Sequence, residues 1–335
     1  MKLSDLLRRV KDHLPLSIQF LMELFSYWRR LCRYNASVDT DHDRQKMQYT
    51  LLRENHIIEK GMSMPNPRHG FGQAKVSALI TRMGRYCEYF GGEHDAFLLY
   101  ILSTIQAYID YQRRDGVAIP EIESAFSQLC SKVALKPELL STPAGIQILH
   151  RQDLQQAAAS NFQTLLLSRH SIRYFKDELP PRELLEQALT LASRTPSACN
   201  RQAWHTHIYF GEDAHELLRM QGGCNGFCDD IPCCIVVTAD MKGFLRHEPF
   251  QCYIDGGLYT QNLINALHFV GLGNIPLSCG FLSDQLLNMQ HRFQIPENEV
   301  MVVIVGTGLM TDEVKVAIST RKPIGTTNTY HHSND

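Results

Sequence analysis

The sequence predicts a mixed α and β fold in its second half, preceded by an all-helical region in its first half. Three observations support this prediction. The chain has 335 residues, enough for two domains of roughly 150 residues each. Apolar residues recur at helical spacing up to about residue 160. After about residue 165, helical stretches alternate with short apolar runs that are typical of strands.

Composition narrows the possible functions. With 44% hydrophobic and 20% charged residues the chain is an ordinary globular protein, and a net charge of -2 argues against a general nucleic-acid binder. Small molecules or other proteins are the expected partners. The ten cysteines follow no recognisable secretory leader, so we expect free thiols and a cytoplasmic location.

The first 30 residues raise the question of membrane contact. Their apolar stretch LPLSIQFLMELFSYW is shorter than the roughly 20 residues of a membrane span, and Glu23 interrupts it, so no transmembrane helix is expected. Nearer the start, four apolar residues share a helical face opposite three basic ones, namely Leu3, Leu6, Leu7 and Val10 against Arg8, Arg9 and Lys11. Such a helix either lies on an anionic membrane or, more commonly, packs against its own protein.

The first half otherwise predicts helices and a weak metal candidate. One buried helical stripe consists of Val76, Leu79, Ile80, Met83 and Cys87. His56 and Glu59 are three residues apart on a predicted helix, which could begin a metal site. They lack a third ligand, so a surface or structural pair is the favoured interpretation and no metal is predicted.

The second half supplies strands and helices in alternation. The predicted strands are HTHIYF at 205–210, CCIVVTAD at 233–240 and VMVVIVGTG at 300–308. The last two are continuous apolar runs, as in strands covered on both faces. One helix follows Pro181, and another carries Leu263 and Leu267 and ends near Gly271.

The segment SRHSIRYF places two guanidinium groups, an imidazole and a hydroxyl within five residues: Arg169, His170, Ser171 and Arg173. In an extended segment Arg169, Ser171 and Arg173 would point to the same side. Arginine offers planar paired donors that suit phosphate, so the segment is a candidate anion grip. The alternative is a basic run on a solvated surface.

The segment TPSACNRQAWH, residues 195–205, could hold a flat heterocycle. Asn200 and Gln202 each carry a donor and an acceptor and can match the edge of a pyrimidine ring. Pro196 and Ser197 would fix the backbone so that its amides face a ligand. Trp204 is expected to anchor the turn in the core.

Several stretches in the same order resemble the nitroreductase family of FMN-dependent oxidoreductases. They are RHSIRYF, PSACNRQAWH, the helix YIDGGLYTQNLINALHFVGLG, the strand VMVVIVGTG and the late RKP at 321–323. The resemblance implies an α+β fold, with a three-layer α-β-α domain around a central, mostly antiparallel sheet. It places this FMN-binding domain at residues 161–325, after a helical extension at 1–160 and before a flexible tail at 326–335.

The same resemblance implies a site for FMN at the interface of a homodimer. The positions that match the family's cofactor-binding residues are Arg169, His170, Ser171, Arg173, Pro196, Ser197, Asn200, Gln202, Pro276, Leu277, Ser278 and Arg321. Arg321 would close on the phosphate, the turn at Pro196 would reach the flavin from the second subunit, and the loop NIPLSCG would pack beside the ring. No residue is expected to act as a catalytic acid or base, because hydride passes through the flavin. Arg173 would stabilise the reduced ring.

The implied function is an FMN-dependent enzyme that takes hydride from NADH or NADPH and passes it to a small organic acceptor such as a nitroaromatic, quinone or enone. One alternative is a flavin-dependent dehydrogenase or oxidase of a biosynthetic intermediate, in the setting of surface polysaccharide synthesis. Another is a non-catalytic flavin-binding interaction protein.

Two departures from the family pattern concern the site. Ala203 stands where a proline usually precedes the tryptophan. The segment CNGFCDDIPCC is rich in thiols, but its spacing differs from that of common metal sites, so small buried hydrophobic residues are the favoured interpretation.

Overall fold

The computed structural model describes residues 14–34, 42–91, 96–135, 140, 142–245 and 248–331. The chain forms two compact units. A helical unit comprises Met1–Ile58, Gly72–Thr142 and Arg321–Asp335, and a sheet unit comprises Glu59–Phe71 and Pro143–Thr320. The basic and apolar helix predicted near the start of the chain lies outside the described residues.

The helical unit is built from helices with buried apolar stripes. They are α1 (Leu16–Tyr34), α2 (Arg44–Met62, whose last residues belong to the sheet unit), α3 (Gln73–Phe90), α4 (Ala96–Arg114) and α5 (Pro120–Lys132). The stripe predicted for α3 is confirmed from Val76 to Met83, while Tyr86 rather than Cys87 is the buried residue of the last turn. Among the described residues, no helix combines the length and the apolar content needed to cross a bilayer.

The sheet unit alternates strands and helices, as predicted. In chain order it contains β1 (Ile146–His150), α6 (Arg151–Ala158), α7 (Phe162–Ser168), α8 (Arg182–Ala192), β2 (Trp204–Phe210), α9 (Gly211–Gln221), β3 (Cys233–Asp240), α10 (Gln251–Phe269), β4 (Leu272–Ser278), α11 (Ser283–Arg292), β5 (Glu299–Leu309) and β6 (Glu313–Ala317). The main sheet has the order β2-β3-β5-β4 with every pair antiparallel, and β1 pairs with β6 in a second, two-stranded sheet.

Successive side chains of β3 point to opposite faces of the main sheet. They pack against different helices on the two faces, so the sheet is the middle of three layers. Ile235 and Val237 belong to the apolar cluster that includes residues of α8 and α10. Cys234 and Val236 belong to the cluster that includes residues of α9 and α11. Helices therefore cover both faces, and the predicted α+β fold with an α-β-α arrangement is confirmed.

Three strands were predicted and three were missed. β2, β3 and β5 lie within one or two residues of the predicted runs. The expectation of an all-helical first 160 residues is wrong at β1, whose five residues form a strand because they pair with β6, far along the chain. The prediction of a loop at NIPLSCG is also wrong, since most of it belongs to β4. β4 is an edge strand, which tolerates Pro276 because its free side needs no backbone donor.

Helix α10 lies unusually close to β5. A Cβ atom added at Gly256 would come within 2.7 Å of Val302 Cγ2, so only glycine fits the contact as it stands. The next residue, Gly257, has no such neighbour within 4 Å. The two adjacent glycines therefore have different roles, one required by packing and one not.

We expect Gly256→Ala and Gly257→Ala to change stability in opposite directions. The first forces an overpacked helix–sheet contact and should lower the free energy of unfolding by about 1–3 kcal/mol. The second replaces an unconstrained helical glycine and should raise it by about 0.5–1 kcal/mol. Urea denaturation of both variants measures this, and an equal effect of the two would contradict the close contact.

Candidate functional site

The segment RHSIRYF, residues 169–175 and called the grip below, runs along the edge of the main sheet. After α7 ends, Ser171 forms a parallel bridge with Asn274 of β4, and the Ile172 amide donates to the Asn274 carbonyl at 2.9 Å. The side chain of Ile172 is buried in the core. By alternation, Ser171 and Arg173 point the other way. The segment is thus extended at these residues, as the sequence predicted.

Gly273 of β4 allows the grip segment to pack this closely. A Cβ atom there would lie 2.8 Å from Met310 Cγ, 3.0 Å from Phe175 Cε1 and 3.2 Å from Ile172 Cγ1. The grip segment can therefore lie close to β4 because Gly273 has no side chain in the space between them.

Arg173 is the most deeply buried cation of the grip. Its side chain is 3% exposed, and its Nε–H has no hydrogen-bond partner. Its Nη1 donates to the Ser171 carbonyl at 3.4 Å, a long contact. Burial lowers the pKa of Arg173 to about 10, an effect that the negative charge of Glu59 partly offsets. Arg173 therefore stays charged near neutral pH, with a buried donor still available to a ligand.

Glu59 itself is fully buried and accepts a hydrogen bond from the Gly145 amide at 3.2 Å. His56, its predicted partner in a metal pair, is exposed. The structural interpretation of this pair is therefore the better one.

His268, at the end of α10, adds a second buried polar group near the grip. Its Nε2 lies 2.8 Å from the Ser168 hydroxyl oxygen, and its side chain is 3% exposed. Burial, with the positive charges of Arg169 and His170, lowers the pKa of His268 to about 4. His268 is therefore neutral near pH 7, and its neighbours form a positively charged surround that favours an anion.

The turn at residues 195–205, called the polar turn below, has an unusual backbone. Cys199, Asn200 and Gln202 have φ values of 51°, 55° and 50°, in the left-handed region that residues other than glycine rarely adopt. Two hydrogen bonds fix Gln202 within the turn. Its backbone N–H donates to the Ser197 hydroxyl oxygen at 2.9 Å, and its side-chain Nε2 donates to Asn200 Oδ1 at 3.1 Å. Asn200 and Gln202 are exposed, so the turn presents its amides to the outside of the single chain.

A buried carboxylate, a salt bridge and a pair of stacked rings hold this turn in place. Asp255 in the first turns of α10 accepts the Ala198 amide at 3.2 and 3.3 Å. Arg201 forms a paired salt bridge with Glu248, with distances of 2.7 and 2.8 Å. Trp204 stacks on Tyr259 with ring centroids 5.1 Å apart, as expected of an anchor in the core.

The grip and the turn contact opposite ends of α10. Asp255 binds the turn and His268 binds Ser168 next to the grip. A helix rises 1.5 Å per residue, so these two positions are about 20 Å apart. The contacts that hold the turn and the grip region are therefore far apart along α10.

The remaining predicted site residues lie on β4, in the polar turn and in the helical unit. Pro276 and Ser278 are exposed on β4, whereas the Leu277 side chain is part of the core on the other side of the strand. Pro196 is exposed at the start of the turn. Arg321 is exposed and belongs to the helical unit, so its contact with a phosphate stays a prediction.

The thiol-rich segment is part of the core, in agreement with the favoured interpretation. Cys224 and Cys228 are buried, with their sulfur atoms 2.7 Å apart, and Cys233 and Cys234 are buried in β3 on opposite faces of the sheet. Burial raises the pKa of each of these thiols. Across the described ranges, no three His, Cys, Asp or Glu residues are grouped in a way that could hold a metal ion.

Comparison with known proteins gives an independent result. The model of the nitroreductase family matches residues 166–221, which include the whole grip and turn. A protein of Archaeoglobus fulgidus is 29% identical over 153 residues, 44% of this chain and 85% of its own length. A protein of Methanothermobacter thermautotrophicus is 27% identical over 141 residues, 42% of this chain and 73% of its own length. Both are named for NADH dehydrogenase/NAD(P)H nitroreductase activity.

Residues 166–221 of this chain match the nitroreductase family model. The family resemblance read from the sequence is thereby confirmed, and the homologues support an oxidoreductase enzyme. Among solved structures, a nitroreductase of Desulfovibrio desulfuricans in complex with FMN is similar, with a TM-score of 0.45 at 18% identity, covering 52% of this chain and 98% of its own.

Sequence reasoning missed several polar residues that build this site. Asp255, His268 and Asn274 are all buried, and Asn274 holds the Ile264 carbonyl through its side-chain amide at 2.9 Å while its Oδ1 has no partner. Each stands at a position that should be apolar in a covered helix or strand. A polar residue in such a position is the signal that could have found them.

A second ionisable cluster lies elsewhere on the main sheet. Glu299 of β5 is 4% exposed, and its carboxylate lies 2.8 Å from His207 Nε2 and 3.2 Å from His205 Nδ1, with a further hydrogen bond from Thr238. Burial raises the pKa of Glu299, but the hydrogen bonds from His207 and Thr238 and the charges of both histidines lower it by more. Its net pKa is therefore below its ordinary 4.5.

We expect Glu299→Gln to destabilise the fold in a pH-dependent way. A carboxylate with a lowered pKa contributes stability above its unfolded pKa and loses it as pH falls through the folded pKa. At pH 7 the variant should lose about 1.5–3 kcal/mol, the value of hydrogen bonds to a charged group. The difference between wild type and variant should shrink once the pH falls below the ordinary 4.5.

Denaturant titrations across this pH range provide the measurement. The matched control is Glu186→Gln, whose exposed ion pair with Arg182 should contribute at most about 1 kcal/mol. A difference for Glu299→Gln that does not vary with pH would show that the charge of the carboxylate is not what stabilises this cluster.

Proposed function

We propose that the chain binds FMN and uses it to pass hydride from NADH or NADPH to a small organic acceptor. The observation that carries this proposal is Arg173, a buried cation whose Nε–H lacks a partner beside the exposed end of a sheet. A buried N–H without an acceptor is costly, so the Nε–H of Arg173 favours a ligand that supplies an oxygen atom. FMN carries such oxygens on its phosphate, its ribityl chain and its pyrimidine edge.

The residues present fit this cofactor. Arg169, His170, Ser171 and Arg173 provide charged and hydroxyl donors along one extended segment, and the Oδ1 atom of buried Asn274 is an acceptor without a partner. The two ends of a flavin nucleotide need both kinds of group, because its phosphate accepts hydrogen bonds while its ring edge both donates and accepts. FMN, when bound, supplies the hydride chemistry itself.

The chain contributes position and charge to that chemistry. Arg173, held on the edge of β4, would place a fixed positive charge beside the pyrimidine edge and favour the electron-rich form of the ring. His268, neutral near pH 7 because its pKa is lowered to about 4, would leave the positive charge of the site to the arginines. The exposed face of Pro276 would border the ring. None of these steps requires a side chain to gain or lose a proton.

We further propose that the site is completed by a second copy of the chain. The turn at Pro196, Ser197, Asn200 and Gln202 faces outward. The α10 residue that binds it, Asp255, lies about 20 Å along the helix from His268, which contacts Ser168 next to the grip. Apolar residues are exposed along the first half of the same helix, including Ile254 at 53% and Leu258 at 46%. An exposed apolar helix face beside an outward-facing polar turn suits a homodimer in which each turn reaches the partner's flavin.

The proposed flavin domain spans residues 161–325, and a cytoplasmic location is proposed with it. The ten cysteines are free thiols, which suits a reducing compartment. The acceptor is proposed only as a small organic molecule, because no side chain of the described site selects among nitroaromatics, quinones and enones.

We expect purified protein to be yellow and to bleach when NADH or NADPH is added. Arg169→Ala should weaken FMN binding by about 1.5–3 kcal/mol, because it removes one charge-assisted contact to the phosphate. Fluorescence titration of the apoprotein with FMN measures this. Arg182→Ala, which removes an equally charged but exposed arginine, is the control and should bind FMN like wild type. Colourless protein that does not take up FMN would refute the proposal.

A mixing experiment tests the two-subunit site. Arg169→Ala and Asn200→Ala should each weaken FMN binding, and co-expressing them should produce mixed dimers with one intact site each. About a quarter of all sites would then bind FMN with wild-type affinity. If grip and turn served the same flavin from one chain, every site in the mixture would stay defective.

A further inference from the structure

Helix α1 presents its apolar side to the outside and buries a polar residue. Leu21, Phe25 and Trp28 are 66%, 55% and 55% exposed. Gln19, on the opposite side of the helix, is 5% exposed, and its side-chain amide donates to the Leu14 carbonyl at 2.7 Å. This arrangement is the reverse of a helix that packs its apolar face on its own protein.

The exposed apolar residues form one continuous surface. Ile18, Leu21, Phe25 and Trp28 recur at intervals of three and four residues, which places them in a single stripe. The rings of Phe25 and Trp28 are in contact, with centroids 5.2 Å apart. Together with three further residues they line an open concavity of about 590 Å³; those three are Met22, Leu24 and Arg29. An apolar surface this continuous marks an interaction site.

The N-terminal segment that contains α1 has a net positive charge. Residues 1–34 contain seven Lys and Arg against three Asp and Glu, a net charge of +4 in a chain whose net charge is -2. Within α1 the arginines stand at positions 29, 30 and 33, near the C-terminal end of the helix. Arg29 borders the apolar concavity itself. The sequence segment that contains the exposed apolar residues thus also carries a net positive charge.

We propose that α1 docks on the surface of an anionic lipid bilayer, with the stripe of Ile18, Leu21, Phe25 and Trp28 facing the acyl chains. A bilayer with acidic headgroups supplies both an apolar interior and a negative surface, which are the two complements of this face. A second copy of the chain would instead bring two positive N-terminal regions together. The helix lies along the surface, so that Arg29 reaches the headgroups while the stripe enters the boundary below them.

The test uses the full chain and vesicles of two compositions. We expect co-sedimentation with vesicles of equal parts phosphatidylglycerol and phosphatidylcholine, weakened by added salt. With phosphatidylcholine alone, binding should be several-fold weaker. The emission of Trp28 should shift to shorter wavelength on the anionic vesicles, and the shift should be absent in Trp28→Phe. No sedimentation with either vesicle would overturn the proposal.

Variants separate the apolar face from charge in general. The double variant Leu21→Glu with Phe25→Glu should lower the partition coefficient by at least about tenfold. Leu179→Glu, at a leucine that is 58% exposed outside α1, adds negative charge elsewhere and should bind like wild type. Equal binding of the double variant and wild type would refute docking through this face.

Light scattering distinguishes the competing occupant. If α1 is instead an interface between copies, the double variant will form a smaller assembly and wild type will not sediment with vesicles, and this result also overturns the proposal. Flavin content and the mixing of Arg169→Ala with Asn200→Ala are independent of α1. A failure of membrane docking is therefore distinct from a failure of the proposed reductase function.

Discussion

The packing of α10 on β5 sets the geometry on which the candidate site depends. The contact at Gly256 brings the helix so close to the sheet that its position along β5 is narrowly defined. Its first turns hold the polar turn through Asp255, and its end holds the grip region through His268. Since the helix is rigid, the distance between these two groups is fixed by its length. That distance supports the proposal that two subunits share the site.

Buried polar groups and a strained turn are the less favourable features of the fold, and they gather around the candidate site. Arg173, His268 and Asn274 are buried with hydrogen bonds that are few or long, and the turn at Asn200 has backbone in the left-handed region. Each costs stability, which the apolar clusters on both faces of the sheet offset. A ligand that binds Arg173 and Asn274 would remove part of that cost, and so the protein is arranged to be completed by a bound molecule.

Helix α1 presents the opposite situation, because it exposes apolar surface instead of burying polar groups. In the sheet unit the apolar stripes of helices face the sheet, as hydrophobic burial requires. Leu21 and Trp28 of α1 face outward, next to an excess of arginine. Nothing in the described residues requires that orientation for folding. The proposed docking of α1 on an acidic bilayer would account for this orientation.

Much of the fold was readable from local patterns, because strong signals come from residues close in sequence. The continuous apolar runs of β3 and β5 and the stripe of α3 need no distant partner to be recognised. β1 was missed because its five residues form a strand only by pairing with β6, which is distant in the sequence. β4 was missed because it contains Pro276, a residue that argues against a strand unless the strand lies at the edge of a sheet. The family resemblance was also recognisable from the sequence, since the grip and turn motifs each lie within a dozen residues.

By itself, the sequence determined that the segment at Ser171 and Ile172 is extended, where β3 and β5 lie, and that the C-terminal half resembles the nitroreductase family. Only the tertiary structure decided that Arg173 is buried with a donor to spare, that Leu277 faces the core, and that the grip and turn lie at opposite ends of one helix. Burial and separation depend on which elements pack together, and this packing arises from contacts between residues far apart in the chain.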